Sequence, residues 1–455
     1  MMQLPRDLGD GLLLRRAGPA DTEALVAFNG DVLRHQDATE PDEWTAAWAR
    51  DLVEHRHPSC STSDFTVVED TRRQTIVSSA CLISQTWSFG GVPFEVGQPE
   101  LIGTHPDYRG RGLVRAQLTV LHQWSAQRSH QVLAIDGIPW FYRQFGYEMA
   151  LALRGGRRVD SARLNAVSGA PGTACRVRPA TAKDLPFIAA LSDAGARRHL
   201  VTCRRDERLW AYELHGRSTR NMYRPELRIV EADDAVPIGF LAHLPRLVGS
   251  ELWLVAWELL PEVSWRAVAP SVLRHVRATG DLYGTQDRSG PGTRIGFWFD
   301  TAHPLYAAID DLRPDVEPPY AWYLRVPNLA DFIRHVAAVL EHRLAGSALA
   351  GYSGELLLSF YQSGLQLAFD KGILTRVAPW QQSRQLVGVE RGQATAAARA
   401  VASFPGLTFL QLLFGHRSFD ELEYAFPACL ARTDQARAIL SALFPKQPSC
   451  VWAVL

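Results

Sequence analysis

The sequence predicts an α/β (α+β) protein of three parts, of which the first two repeat one plan. Residues 12–28 and 175–191 each give a short strand, a polar turn and an amphipathic helix. Each helix is followed by two strands joined by a polar turn: FTVVED and IVSSACLIS in the first part, LRIVEA and IGFLAHL in the second. This alternation indicates a sheet flanked by helices that is built twice along the chain.

Changes in composition predict where the three parts meet. Residues 155–173, GGRRVDSARLNAVSGAPGT, are rich in Gly, Ala and Ser and predict a connector. After VEPPYAWYLRVPN, a predicted helix at 329–344 and the strands GELLLSF, LQLAFD and ILTRVAPW precede three further helices. We therefore expect domains at residues 1–155, 174–325 and 326–455, the last a separate α+β domain.

The composition argues against several classes of function. The 455 residues include 48 basic and 48 acidic side chains, so no excess of positive charge would attract nucleic acid. The six cysteines form no Cys-x-x-Cys pair, which predicts neither a metal site nor a disulfide framework. The N-terminus shows no signal-peptide pattern, and no apolar run approaches the ~18 residues of a membrane span. We expect a cytoplasmic protein with no membrane partner.

A glycine–arginine loop leads into the long helix of the first part and is missing from the second. In THPDYRGRGLVRAQ, residues 104–117, a strand ends and the tetrapeptide Arg109–Gly112 runs directly into the helix. Backbone N–H groups at a helix N-terminus, approached closely through glycines, form a phosphate site. The loop is neither a Walker loop nor a dinucleotide fingerprint, because it has neither spacing. An anion site and a structural turn are the two interpretations that the loop alone allows.

The order of elements around this loop resembles the GCN5-related N-acetyltransferases. A strand, the Arg-x-x-Gly-type loop, a long helix, a second strand and then FYRQFGYE follow one another in residues 98–150. Two such units, the second degenerate, followed by a sterol-carrier-like domain, are similar to the Eis-type (enhanced intracellular survival) acetyltransferases over nearly the whole chain. The resemblance implies tandem folds, each a mixed central sheet flanked by helices, with acetyl-CoA as co-substrate and no metal.

The same resemblance implies which residues bind acetyl-CoA. The strand residues Ile102, Gly103 and Thr104 would pair with the pantetheine arm. The loop and the start of the helix would hold the pyrophosphate, chiefly through backbone N–H groups, with the residues Arg109, Gly110, Arg111, Gly112, Leu113, Val114 and Arg115. Gly137 and Ile138, after the next strand, would contact the same cofactor, although the serine that several family members carry nearby is absent. Core packing is the alternative role for Ile102 and Ile138.

Attack of an amine on a thioester needs a neutral amine, a stabiliser for the oxyanion and an acid for the leaving thiol. The resemblance implies that Tyr142 is that acid, and an ordinary tyrosine pKa of ~10 keeps it protonated at neutral pH. For the base it implies the terminal carboxylate of Leu455, with Glu100 before the central strand as competitor. His105 is a third option, with a role in shaping the turn as its alternative.

These expectations combine into an N-acetyltransferase that moves acetyl from acetyl-CoA to a primary amine of a small molecule or lysine by direct attack. Relatives form hexamers, so a homo-oligomer is expected by resemblance. The alternatives are a CoA-sensing protein whose catalysis has lapsed and a lipid carrier that acts through the third domain. Aminoglycosides, polyamines, peptides and protein lysines all fit as acceptors, and the acceptor pocket is expected against the first helices and the third domain.

Overall fold

The computed structural model describes residues 3–35, 37–166, 175–286, 288, 290–381 and 400–455. Within these residues the chain forms three mixed or antiparallel sheets with helices packed on them, which confirms the predicted fold class. No helix in these ranges is long and apolar enough to cross a bilayer.

The first unit follows the predicted order of strands and helices. Its elements are β1 (Arg6–Asp7), β2 (Leu12–Arg16), α1 (Thr22–Val32), α2 (Glu43–Val53), β3 (Phe65–Asp70), β4 (Thr75–Phe89), β5 (Val92–Thr104), α3 (Leu113–Gln127), β6 (Val132–Asp136) and β7 (Glu148–Leu153). A 3-10 turn at Phe141–Phe145 joins β6 to β7.

The second unit repeats this order with additional short elements. Its elements are β8 (Gly156–Asp160), β9 (Arg176–Pro179), α4 (Leu185–Ala196), β10 (Val201–Cys203), α5 (Glu207–Ala211), β11 (Glu226–Glu231), β12 (Pro237–His243), β13 (Glu251–Leu259), α6 (Trp265–Gln286), β14 (Arg294–Phe297), α7 (Leu305–Ala308), β15 (Asp315–Glu317) and β16 (Tyr320–Arg325).

The last part of the chain forms a five-stranded sheet of order β19-β18-β17-β20-β21. Its elements are α8 (Leu329–His335), α9 (Ala337–Ala345), β17 (Gly354–Ser359), β18 (Gly364–Asp370), β19 (Ile373–Pro379), β20 (Ala400–Ser403), α10 (Phe409–Leu413), α11 (Phe419–Ala425), β21 (Leu430–Ala431) and α12 (Asp434–Leu443). The single helix predicted at 329–344 is therefore wrong, because α8 ends and α9 begins at Val336.

The first sheet contains two strands of the second unit, since β16 is inserted in it and β10 pairs with β4. The first sheet runs β1-β2-β3-β4-β5-β6-β16-β7, so β16 of the second unit lies between β6 and β7. The second sheet runs β15-β8-β14-β13-β12-β11-β9, so β8 lies between β15 and β14. The connector predicted at 155–173 is therefore wrong for residues 156–160, where Val159 is fully buried opposite Ile295. The expected domain boundaries stay predictions, since the two sheets interleave there.

Strands β5 and β6 separate along their length, and this opens the centre of the first sheet. They pair in parallel only at Val96–Val132 and Gly97–Leu133, so the rest of β5 leaves β6. Farther along, Leu101 and Ile102 together face one residue of β4, and Leu101 has a φ of 49°. This is a β-bulge, which bends a strand and leaves a residue outside the ladder.

The C-terminal tail returns to the first two units. Residues 448–450 run beside β10, where Leu200 N–H donates to Pro448 O (2.8 Å) and Cys450 N–H to Val201 O (3.1 Å). One buried apolar cluster joins the first sheet to the last part of the chain, with the Phe94 and Phe332 rings 5.4 Å apart. The tail therefore ends inside the protein, beside the central sheet.

Candidate functional site

The glycine–arginine loop has the geometry of an open anion site. Gly110 and Gly112 have φ of +77° and +76°, in the left-handed region that favours glycine, and a Cβ at either position would have no other atom within 4 Å. Helix α3 begins at Leu113 directly after Gly112, so the N–H groups of its first turn have no partner within the helix. The guanidinium groups of Arg109, Arg111 and Arg115 are exposed around it. The loop can accept a phosphate without rearrangement of its backbone.

Buried hydrogen bonds fix the loop relative to the end of β5. Tyr108 O–H donates to Asp70 (2.6 Å) beneath the loop. Ser78 Oγ lies 2.6 Å from Gln117 Oε1 on α3 and 2.8 Å from Gly103 O on β5. The helix start and the residues Ile102–Thr104, predicted to bind the cofactor, are thereby held at one edge of the separated strands.

Tyr142 packs its ring over the turn that follows β6. A Cβ at Gly137 would lie 1.9 Å from Tyr142 Cε2, so only glycine leaves room for this ring. Tyr142 is buried, and its neighbours include the rings of Tyr147 and Tyr323. Burial, and then the nearby Glu100 and Asp136 carboxyls, raise its pKa above the ordinary value. Ile138, in contrast, is 64% exposed, which excludes core packing as its role.

Two carboxyl groups lie beside Tyr142. Glu100 lies deep in the protein and is still partly reached by solvent, and burial raises its pKa to about 8, opposed by a hydrogen bond from Gln98 Nε2 (2.7 Å). Burial also raises the pKa of Asp136, and Arg154 opposes this rise. Together these groups form a cluster of one phenol and two carboxyls in which a proton can be held near neutral pH.

The tail reaches this cluster through a chain of buried amides. Val454 N–H donates to Gln85 Oε1 (3.3 Å), and Gln85 Nε2 donates to Gln98 Oε1. Gln98 Nε2 in turn donates to Glu100, so the last residues of the chain are hydrogen-bonded through two side chains to the carboxyl group. A change in the position of the tail would therefore alter the hydrogen bond that Glu100 accepts.

The terminal carboxylate itself is paired with a buried arginine. Arg217 donates to the Leu455 carboxylate and also forms an ion pair with Glu213 (3.0 Å). Nearby, His57 Nε2 lies 3.3 Å from Val454 O, and burial together with Arg217 lowers the pKa of His57 to about 3. His57 is therefore neutral at physiological pH. The positive charge beside the terminal carboxylate comes from Arg217, which donates a hydrogen bond to it.

A cavity of about 460 Å³ begins at this cluster. Asp136, Tyr223 and Leu455 line one end of it. The remaining walls come from the end of β7, the residues around 298–302 after β14, residues 414–416 and the tail. Neither α1 nor α2 lines this cavity, whereas residues of the third part do. The acceptor pocket expected against the first helices and the third domain stays a prediction.

The structure brings Glu100, Tyr142 and Leu455 to one region, around Asp136. Sequence reasoning missed Asp136, Tyr223 and Arg217 as candidate functional residues. For Asp136 there was a signal, since VLAID ends a buried strand with a carboxylate directly before the Gly137 turn. Tyr223 and Arg217 belong to the second unit and carried none. His105 faces away from the cluster, with its ring 5.9 Å from Tyr108 and Nδ1 accepting from Asp107 N–H.

The second unit has no comparable site at the corresponding place. Its strand β13 passes to α6 without a glycine loop. Glu258, near the end of β13, forms an ion pair with Arg198 (2.5 Å), and a Cβ at Gly195 would lie 2.3 Å from its carboxylate. The cavity found there is about 70 Å³. Chemistry is therefore expected in the first unit.

A family comparison bears on the first unit. Residues 14–150 match the family of acetyltransferase (GNAT) domains. The chain thus contains a GNAT acetyltransferase domain. No curated protein matches the chain significantly in sequence.

Solved structures resemble the whole chain. A probable N-acyltransferase of unknown function from Enterococcus faecalis V583 has a TM-score of 0.64 at 12% identity, over 96% of this chain and 97% of that chain. A GCN5-related N-acetyltransferase from Anabaena variabilis has 0.63 at 14%, over 97% and 99%. Eis1 from Mycobacterium abscessus has 0.59 at 15%, over 98% and 99%. At such identities the likeness establishes a shared fold that extends beyond the GNAT domain.

Proposed function

We propose that the protein is an N-acetyltransferase that transfers the acetyl group of acetyl-CoA to a primary amine by direct attack on the thioester. The observation that carries the proposal is the position of the Glu100–Asp136–Tyr142 cluster. Asp136 of this cluster lines the large cavity, and Glu100 lies on β5, the strand that leads to the open phosphate loop. A cofactor bound at the loop and an acceptor bound in the cavity would both reach the cluster.

The residues of the first unit fit acetyl-CoA. Gly110 and Gly112 leave the backbone N–H groups at the start of α3 accessible, and the exposed arginines add charge for a pyrophosphate. The separated end of β5, Ile102–Thr104, offers backbone groups for the pantetheine amides, with Gly137 and Ile138 opposite. Bound in this way, acetyl-CoA supplies the thioester that the amine attacks.

Glu100 is the base that we favour for the amine. A carboxyl with a pKa of about 8 can remove a proton from an ammonium group whose own pKa falls in the same buried site. The Leu455 carboxylate is already paired with Arg217, so we assign the proton transfer to Glu100. The amide chain from Val454 to Glu100 would keep the two carboxyls in fixed relation.

Tyr142 is the acid that we propose for the leaving thiolate. Its raised pKa keeps the phenol protonated throughout the physiological range, and donation of its proton to sulfur would give free coenzyme A. Glu100 first takes a proton from the ammonium group and passes it to solvent. It then takes the second proton, which the attacking nitrogen loses as the amide forms, and returns it to Tyr142 after the phenol has protonated the sulfur, so that each turnover releases one proton to solvent.

Coenzyme A release tests this function, with Tyr142→Phe compared against Tyr147→Phe. Tyr147 is a second buried tyrosine nearby, and its O–H contacts His122 (2.9 Å), so its variant loses a hydroxyl of similar burial outside the cluster. We expect amine-dependent release by the wild type, a loss of about 100-fold or more in Tyr142→Phe, and little change in Tyr147→Phe. Acetyl-CoA binding without release from any amine would instead support the CoA-sensing alternative.

The resemblance and the composition lead to three further proposals, which concern the third part of the chain, the oligomeric state and the cellular location. A sterol-carrier-like character for the five-stranded part, a homo-oligomer and a cytoplasmic location all come from the family likeness or from the composition. A lipid-carrier function would be supported by lipid that co-purifies with the protein, which mass spectrometry of an organic extract would detect.

A further inference from the structure

The walls of the large cavity combine aromatic surface with few available charges. The accessible rings of Trp298 and Trp452 lie on different sides of it, and the apolar side chains of Leu151, Leu153 and Val255 also line it. A site of several hundred Å³ with such walls is of the size and character that binds small organic molecules. The body of an acceptor would thus rest on apolar and aromatic surface.

Most of the charged groups that line the cavity already have partners. Asp300 accepts from His199 Nε2 (2.7 Å), and Lys446 forms an ion pair with Glu421 (2.5 Å). The terminal carboxylate of Leu455 is paired with Arg217. These groups contribute little net electrostatic attraction or repulsion toward a bound ligand, because the charge of each is balanced by its partner.

Asp136 is the exception among the acids. In the part of the chain that the structure describes, its side chain has no hydrogen bond or ion pair, although the charge of Arg154 is near enough to lower its pKa. It lines the cavity and lies beside Tyr142. One carboxylate without a directly bonded partner, already partly balanced by Arg154, can stabilise no more than one ammonium group next to the proposed base.

Arg154 is the corresponding exception among the bases. Its side chain is exposed and lies over the Trp298 ring, 4.8 Å from the centroid, on the wall that the body of an acceptor would contact. A second ammonium group on the acceptor would meet this guanidinium and would find no unpaired carboxylate there. Like charges placed together in an interface are strongly unfavourable.

We infer that the acceptor is a primary monoamine with an apolar or aromatic body, and that polycations such as polyamines and aminoglycosides are poor substrates. The inference rests on the proposed function and specifies the substrate class of the same cavity. The single amine lies against Asp136, and the body lies between Trp298 and the tail.

The first experiment compares kcat/KM for coenzyme A release with four amines at saturating acetyl-CoA. Tryptamine and 2-phenylethylamine represent monoamines, and spermidine and kanamycin represent polycations. We expect the monoamines to be favoured by on the order of 10-fold or more, because each further ammonium group would have to be buried without a partner.

A pair of variants tests whether charge on the wall sets this preference. Thr301 is exposed and lines the cavity, so Thr301→Glu adds a carboxylate there. Thr285, exposed on α6, is outside the lining residues, and Thr285→Glu is the matched control. We expect Thr301→Glu to shift the ratio of kcat/KM for spermidine over 2-phenylethylamine upward by roughly 5-fold, since a solvent-exposed pair of opposite charges contributes up to about 1 kcal/mol. Thr285→Glu should leave the ratio unchanged.

Trp298→Leu tests the aromatic wall. It should raise KM for 2-phenylethylamine several-fold and leave KM for acetyl-CoA unchanged, because the ring lines the cavity that we assign to the acceptor.

The outcomes separate the two ideas. Release that favours spermidine or kanamycin over both monoamines would overturn the inference and leave the acetyltransferase proposal standing. An unchanged ratio in Thr301→Glu would overturn the part that assigns the preference to charge. No release with any amine, by a protein that still binds acetyl-CoA, would overturn the proposed function itself.

Discussion

Glu100 shows how a single buried carboxyl can set the pH at which the protein works. Its pKa is raised to about 8 mainly because water is excluded, and the hydrogen bond from Gln98 prevents a larger rise. The ionised form, which is the base, is therefore the minor form at pH 7 and the major form above pH 8. An acetyl transfer that depends on Glu100 must become faster as the pH rises through this range.

We therefore expect kcat/KM for coenzyme A release to rise with pH and to level off above about 8. Glu100→Gln should lose about 100-fold in activity and also lose this pH dependence, because an amide cannot take a proton. Glu95→Gln is the matched control, since Glu95 is an exposed glutamate on the same strand. A profile that keeps its rise in Glu100→Gln would assign the base role to another group.

Gly137 is a second residue whose identity is set by one neighbour. Gly137→Ala would place a Cβ 1.9 Å from the Tyr142 ring, which cannot be accommodated without moving that ring. We expect a loss of about 1–3 kcal/mol in the free energy of unfolding and a fall in kcat as the phenol is displaced. Gly18→Ala is the control, because nothing lies within 4 Å of a Cβ there and its φ is −130°. Equal Tm and kcat in both variants would contradict the close packing of Tyr142.

At the scale of elements, two local distortions create the site. The bulge at Leu101 and Ile102 and the early end of the β5–β6 ladder make a gap in a sheet that would otherwise be continuous. The loop that follows β5 delivers the N-terminus of α3 to the same edge. A strand that stayed paired along its full length would use its backbone N–H groups in the ladder and leave none for a ligand.

The loop prediction can be tested with two glycines of the same backbone conformation. Gly112→Ala and Gly249→Ala each put alanine at positive φ, +76° and +63°, in open space. Each substitution should cost about 1 kcal/mol in the free energy of unfolding. Only Gly112→Ala should weaken acetyl-CoA binding, by about 10-fold, because only that residue precedes the phosphate-binding turn. Isothermal titration measures this, and equal affinities in the two variants would mean that the loop is a structural turn.

At the scale of the whole molecule, all three parts of the chain contribute to one cavity. The first unit supplies the cluster, the second supplies Tyr223 and the 298–302 wall, and the tail after α12 supplies the remainder. Strands of the second unit tie these parts together, because β16 lies between β6 and β7 of the first sheet and β10 pairs with β4. The second unit, which has no glycine loop, therefore still serves the site as a wall and as the source of Arg217.

The buried terminus predicts sensitivity to a C-terminal extension. Leu455 is 6% exposed and its carboxylate is paired with Arg217, so an added tag would remove the charge and force the last residues out of the cavity. We expect a C-terminal hexahistidine tag to lower kcat/KM by about 10-fold or more, because it removes one of the two carboxylates, Leu455 and Glu213, that are paired with the buried Arg217. The same tag at the N-terminus is the control. Full activity in both proteins would show that the terminal carboxylate has no part in the reaction.

The sequence by itself determined the features that depend on neighbouring residues. The repeated strand and helix order, the glycine loop before α3 and the position of Tyr142 follow from periodicity, caps and turn chemistry over a few residues. The fold class and the GNAT domain, both confirmed, followed from that order. The roles of the individual residues stay predictions.

Only the tertiary structure decided what depends on distant segments. The strand GRRVD contains one large apolar residue and reads as a connector, yet it becomes a strand because β14 and β15 pair with it from more than a hundred residues away. The amide chain to Glu100, the pairing of Leu455 with Arg217 and the cavity charges likewise arise from side chains that meet only in the folded protein. Burial and hydrogen-bond partners set their chemistry, and no local pattern in a sequence encodes either.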